Sequence, residues 1–265
     1  MNWEEITFLQ KNWIKKAALI TANLFTLGNI SSAVIGIILI FLQAENYIFW
    51  FGKLLAICAI LDFTDGKLAR IGGSKKLAVD IDTLMDSISF GLFPAIFIGF
   101  QVALWNNSIT TWSIILGVFT GLVYLGAAWF RLLRFVNRDP LYTPYFQGLP
   151  SSFASLVIAC LVVFEENPED TLAWVILVAT VIISGFMISK TPFPSFKGVP
   201  GKFDLYWIIT TTILVCAFTV LPYGYMKFAA YGIAVYMIVY LMFGPEYAIK
   251  LEKMQEKQKI EKKVS

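Results

Sequence analysis

Eight apolar stretches separated by charged segments dominate this chain, and they leave few ways to fold it. They run Leu19–Leu42, Ile48–Leu61, Ile88–Trp105, Ile109–Phe130, Phe153–Phe164, Leu172–Ile188, Phe203–Leu221 and Phe228–Phe243. A helix crossing a ~30 Å hydrocarbon core needs about 20 apolar residues, with a working range of about 17 to 25. Most of the runs meet that length. The second and fifth fall short alone, so each must borrow a polar or proline-containing flank. The second is therefore expected to continue to Arg70 and the fifth to begin near Pro150. In lipid every backbone polar group must be satisfied within the segment, which makes helices the expected form of all eight. The charged fraction, 15% against about 25% for soluble domains, agrees.

The cations between the runs fix an orientation. Lys11, Lys15 and Lys16 precede the first run, while Lys67, Arg70, Lys75 and Lys76 follow the second. Arg131, Arg134 and Arg138 follow the fourth, and Lys190, Lys197 and Lys202 follow the sixth. Six lysines from Lys250 to Lys263 follow the eighth. With eight spans all of these share one face, and of 21 lysines and arginines only Lys53 and Lys227 fall elsewhere. The opposite face receives Glu165, Glu166, Glu169 and Asp170. By the positive-inside tendency both termini are expected in the cytoplasm. The reading is thus an all-α, polytopic transmembrane bundle of eight spans in a cell membrane. No cleavable signal is expected at the N-terminus, because Trp3 to Lys16 is mixed and the following run is long enough to span. The tail from Lys250 reads as a solubilising extension, with anionic headgroups as the functional alternative.

The chain has no histidine, which removes imidazole bases, Ser/His/Asp arrangements and histidine metal ligands. Cys58, Cys160 and Cys216 stand singly in apolar runs, without disulfide or zinc spacing, and read as small apolar fillers. Acid, base and metal chemistry is left to carboxylates.

Those carboxylates cluster. Asp62 and Asp65 are three apart at the end of the second run, and Asp82 and Asp86 are four apart at the start of the third. Either spacing puts a pair on one helical face. If the two helix ends meet, four like charges converge beside hydrocarbon, which is costly without compensation. All-oxygen ligation favours a hard divalent cation, Mg²⁺ or Mn²⁺. A structural alternative is an ion-pair knot using Lys67 and Arg70. Against it, Gly66, Ala69 and Ala78 remove side-chain volume near the acids, which suits the approach of a ligand. A hard metal at a membrane face is suited to a phosphate or diphosphate. A pyrophosphatase, a lipid phosphatase, a transferase and a metal-ion transporter all remain open on these grounds. No nucleic-acid partner is expected.

The pattern Asp62-x-x-Asp65-Gly66-x-x-Ala69-Arg70, followed by Asp82-x-x-x-Asp86, resembles the signature of the CDP-alcohol phosphatidyltransferases. These membrane enzymes move a phosphatidyl group from a CDP-activated lipid to an alcohol and release CMP. Two departures stand out: seven residues, Ile71 to Leu77, follow the arginine where the pattern has eight, and Ala78 occupies the second glycine position. Further passages look most like the phosphatidylserine synthase branch. They are Asn23 to Asn29, Asp86 to Ala95, Arg131 to Phe135, Phe146 to Pro150, and Ser189 to Lys197. In the last-but-two of these, Val136 intervenes before Asn137.

The resemblance implies a division of labour. Asp62, Asp65 and Asp82 would hold two metal ions that grip the diphosphate. Asp86 would share the second ion and serve as general base. Asp62, Gly66, Ala69, Arg70, Ala78 and Lys190 would line the CDP-lipid site. Arg131 and Arg134 would read the acceptor, since a guanidinium fork pairs with a carboxylate. The expected substrates are CDP-diacylglycerol or CDP-archaeol and L-serine, with glycerol phosphate or inositol phosphate as rival acceptors. A divalent-cation transporter is the rival from another class. A homodimer is the family habit. The expected organisation is a cytoplasmic N-terminal segment at 1–18, with an interfacial helix lying along the membrane as one reading of it; a six-span transferase core at 19–202; two additional spans at 203–243; and a charged cytoplasmic tail at 244–265.

Overall fold

A computed structural model describes residues 3–72, 83–104, 109–136, 145–163, 171–194 and 202–264. Eight helices occur among them: α1 (Trp3–Phe41), α2 (Tyr47–Gly72), α3 (Thr83–Ala103), α4 (Thr111–Val136), α5 (Ser151–Val163), α6 (Thr171–Ile188), α7 (Lys202–Val220) and α8 (Tyr223–Val264). Each apolar run of the sequence falls on one of them. The second run does extend past its acids, to Gly72, and α5 begins directly after Pro150. The N-terminal segment is not a separate helix: from Trp3 it continues into the first apolar run. Among the described residues, stretches of α1, α2, α3, α4 and α8 are long and apolar enough to cross a bilayer, and α5, α6 and α7 contain shorter apolar stretches.

The bundle's outer surface is as apolar as its interior. Leu24, Leu27, Ile35, Ile38 and Phe41 on α1, and Trp112, Val118, Phe119 and Leu122 on α4, are all exposed. Water would not tolerate that much contiguous apolar surface, but lipid does.

Packing between the helices relies on small residues and aromatic plugs. A Cβ on Gly36 of α1 would collide with the Phe93 ring of α3. Where α3 crosses α4, a Cβ on Gly121 would lie 2.7 Å from the Ala95 carbonyl oxygen, so the two backbones touch. Close approach through small residues is how membrane helices gain contact without a hydrophobic driving force. Phe51 of α2 stacks on Phe97 of α3, with centroids 3.6 Å apart, at the centre of a core shared by α1 to α6. A second core unites α7 and α8 with α2 and α5 through Ala56, Leu156, Phe218, Met226 and Ile233.

Two features depart from plain helical geometry. Inside α3, Ser87–Leu92 is a π-helical turn, where the Phe93 N–H bonds the Ile88 carbonyl five residues back. Pro94 follows and has no N–H for the carbonyl one turn before it. There the buried Tyr124 hydroxyl of α4 donates to the Phe90 carbonyl, 3.2 Å away. The second is an antiparallel ribbon that the all-helical expectation did not contain. β1 (Tyr145–Gln147) pairs with β2 (Pro192–Pro194), Phe146 opposite Phe193. It joins the segments entering α5 and leaving α6, at the end of the bundle where α2 and α4 finish.

Candidate active site

Asp62 and Asp65 sit on the last turns of α2. Asp65 is only 2% exposed, which buries a carboxylate inside an apolar bundle. The single hydroxyl proton of Thr26, on α1, is shared between Asp65 Oδ2 at 2.8 Å and the Ala22 carbonyl at 3.0 Å. One turn below Asp62, the buried Cys58 thiol donates to the Asn29 carbonyl of α1 at 3.4 Å. Thus α1 lines the acid-bearing face of α2 along two turns. Asp62 is half-buried and opens toward the bundle's end.

Gly66, next to Asp65, is half-buried, and among the described residues a Cβ there would meet nothing within 4 Å. Ala69 is half-buried one turn on. Lys67 is exposed and places its ammonium 4.0 Å from the centroid of the Phe63 ring, a cation–π contact at the surface. That placement does not suit the ion-pair knot considered from sequence.

Asp86 is half-buried and immediately precedes the π-helical turn within α3. It and Asp62 lie within electrostatic range of Cys58 and of Arg131, so α2, α3 and α4 present these groups to a common region. Arg131 is itself buried, and its Nη1 donates to the Ser151 hydroxyl at 2.8 Å, at the first residue of α5. Arg134, one turn later, is spent differently. Its Nη1 donates to the Ile188 carbonyl at 3.0 Å, while Nη2 reaches the carbonyls of Gln147 at 2.8 Å, Ser189 at 3.0 Å and Met187 at 3.1 Å. These are the orphan carbonyls at the end of α6 and one from the ribbon. Sequence reasoning paired the two arginines as acceptor readers. The structure gives Arg131 to the acid region and engages Arg134 with backbone.

Lys190 is exposed in the turn after α6. Asp82 and Ala78 lie outside the described residues, as does the Arg70 side chain, whose backbone lies in the last turn of α2. Among the described residues no three acidic or thiol side chains are close enough to hold an ion by themselves. The donor set nevertheless fits a hard divalent cation, because Asp62, Asp65 and Asp86 offer only carboxylate oxygens.

Three contributors were not legible beforehand. Thr26 lies 39 residues from Asp65, Ser151 lies 20 from Arg131, and Tyr124 lies 34 from Phe90, whose carbonyl finds no N–H at Pro94. Helical spacing links residues three or four apart and is silent on all three.

A family model described as CDP-alcohol phosphatidyltransferase matches residues 19–186. The chain belongs to the CDP-alcohol phosphatidyltransferase family. Members of this family take CDP-activated lipid donors and alcohol acceptors, and generally use divalent metal ions. Membership sets aside the cation-transporter reading and makes this a multi-pass membrane transferase of phospholipid synthesis. The chain is 27% identical over 232 residues to a Helicobacter pylori protein named CDP-diacylglycerol–serine O-phosphatidyltransferase, covering 84% of this chain and 88% of that one. It is 26% identical to proteins of the same name from Mycobacterium leprae, over 64% of this chain and 58% of the relative, and Mycobacterium tuberculosis, over 64% and 61%.

Proposed function

We propose that this phosphatidyltransferase uses L-serine as its acceptor. The hydroxyl oxygen of serine attacks the β-phosphorus of CDP-diacylglycerol, or of the ether-linked CDP-archaeol. The bond from that phosphorus to the oxygen bridging it to the α-phosphate breaks, CMP leaves, and Asp86 takes the hydroxyl proton. A serine hydroxyl is a very weak acid at neutral pH, so a carboxylate held beside it is needed as base.

The observation that carries the serine reading is Arg131. A buried guanidinium, steadied by Ser151 and sharing a region with Asp86, suits an acceptor that brings its own carboxylate close to the base. The names of the relatives from Helicobacter and Mycobacterium favour the same acceptor. Arg134 is assigned a supporting part, holding the ribbon and the end of α6 in place. Asp62, Asp65, Asp82 and Asp86 would hold two ions, Mg²⁺ or Mn²⁺, which when bound neutralise the diphosphate and make CMP a competent leaving group. The open space at Gly66, with Ala69, Arg70 and Ala78, is where the nucleotide end of the donor would lie, and exposed Lys190 would meet its lipid phosphate.

The test is CMP release from the purified enzyme with a panel of acceptors. Serine is expected to be the best, and ethanolamine, which lacks the carboxylate, very poor. Preference for glycerol phosphate or inositol phosphate would remove the serine assignment and leave the transferase intact.

The same reading puts both termini and the active site in the cytoplasm, with eight spans, and takes the working unit to be a homodimer. Cysteines introduced at Lys11, Lys75, Lys197 and Lys257 should label from the cytoplasmic side and one at Glu166 from the other. Labelling at Glu166 from the cytoplasm would sink the eight-span arrangement.

A further inference from the structure

The family match ends at residue 186, yet α8 reaches the acceptor end of the bundle. Its Tyr240 is 1% exposed, and its ring is nearly parallel to two others. Phe153 lies 5.0 Å away at an interplanar angle of 5°, and Phe193 lies 5.3 Å away at 18°. Phe153 stands on the first turn of α5, two residues after Ser151. Phe193 is the middle residue of β2, paired with Phe146. The Tyr240 hydroxyl donates to the Pro194 carbonyl at 3.3 Å. One turn further along α8, a Cβ on Gly244 would lie 3.3 Å from Pro194 Cδ and 3.5 Å from the Phe193 ring, so glycine lets the helix lie against β2. The next residue, Pro245, sits inside the helix.

We infer that Tyr240 is a positioning residue for the acceptor site: wedged between the first turn of α5 and β2, it sets where Ser151 holds the Arg131 guanidinium. The inference rests on reading Arg131 as the group that meets the acceptor's carboxylate. Its physical basis is leverage. An arginine side chain has many rotamers, and Arg131 is steadied by a hydroxyl whose position follows the start of α5. That start is held by Tyr240 on one side and by the ribbon on the other, where the Gly148 N–H bonds the Thr191 carbonyl at 2.9 Å and the Leu149 N–H bonds the Phe186 carbonyl at 3.1 Å. Tyr240 also lies within electrostatic range of Arg131 itself. Helix α8 would then supply part of the specificity of a site whose recognised motifs all lie before it.

The test is steady-state kinetics of the full-length enzyme, by CMP release, on Tyr240→Leu, Tyr240→Phe and each combined with Arg131→Lys. Misplacement by ~1 Å can cost ~10²-fold, so Tyr240→Leu is expected to raise the serine KM by about tenfold or more while the KM for CDP-diacylglycerol stays within about twofold. Tyr240→Phe keeps the stacked ring and should restore a near-native serine KM. In the Arg131→Lys background Tyr240→Leu should add little, because the residue acts through Arg131. If Tyr240→Leu does not accumulate as folded protein, Phe153→Leu breaks the same stack from α5 and should give the same signature. The inference is overturned if the serine KM is unchanged, if both KM values rise together, if only kcat falls, or if the Tyr240 and Arg131 effects are additive. Native enzyme in the same assay judges the acceptor reading separately: should another acceptor prove better, the comparison is made on that acceptor's KM.

Discussion

The end of α2 and the end of α4 face one region of the molecule and are built on opposite principles. At the first, Gly66 borders space that a methyl group would not fill, beside half-buried Asp62 and deeply buried Asp65. At the second, Gly148 has a φ of +79°, and a Cβ there would strike the Met187 carbonyl and come within 2.8 Å of Arg134 Nη2. One glycine meets no described atom, and on the proposed reading leaves room for a ligand; the other lets three segments of chain meet. The difference teaches how a two-substrate site can be divided. A large, charged donor needs an open cavity and acidic ligands, while a small acceptor needs a guanidinium whose position is fixed before it arrives.

The sharpest way to separate the two regions is to remove an acid. Replacing Asp62, Asp65 or Asp82 with Ala should remove several kcal/mol of charge stabilisation at the diphosphate, about 10³-fold in rate at 1.36 kcal/mol per decade. Chelation should do the same and be reversed by added Mg²⁺ or Mn²⁺. Full turnover in excess EDTA would defeat the metal assignment.

Next in size is the arginine pair. Arg131→Lys keeps the charge but loses the fork, and one charged hydrogen bond is worth roughly 1.5 to 3 kcal/mol, or about 10- to 150-fold in the serine KM. Binding of the CDP-lipid should change much less. Arg134→Lys should instead lower the melting temperature, by about 2–4 °C per kcal/mol lost, with the serine KM nearly native. If the two variants behave alike in both measurements, the distinction between them is void.

The glycines should give the smallest effects and divide the same way. Gly148→Ala adds the strain of a left-handed side chain, about 1–3 kcal/mol, to a clash of its Cβ with the Met187 carbonyl, and should reduce thermal stability while touching activity least. Gly66→Ala should leave stability alone and raise the KM for the CDP-lipid a few-fold, through crowding of the cavity. A stability loss at Gly66 matching that at Gly148 would mean that the open space belongs to packing and not to a ligand.

How much of this was visible in the sequence follows from the range of each interaction. Apolar runs specify helices because lipid permits little else, so the eight helices and the shared face of Asp62 and Asp65 could be read directly. The family signature lies within one helix end, one connection and the next helix start, which is why it was legible as a string. The separation of Arg131 from Arg134 was not. They are three residues apart and chemically identical, and what divides them is where Ser151, Gln147 and Ile188 happen to stand. The ribbon was hidden for a similar reason. Tyr145–Gln147 and Pro192–Pro194 are short, lie 45 residues or more apart in sequence, and include prolines that argue against strand.

The π-helical turn gives α3 a property that a uniform helix would lack. Each residue of an α-helix advances about 100° around the axis, and a π-turn holds one residue more than the α-turn it replaces. Ser87–Leu92 therefore takes up one additional residue between Asp86 and the Phe93 and Phe97 rings, which are fixed by their contacts with Phe51, with little change in how the acid faces relative to them. A one-residue deletion within the turn would convert it to an α-turn and leave Asp86 facing nearly as before, where the same deletion in a uniform helix would swing the acid by about 100°.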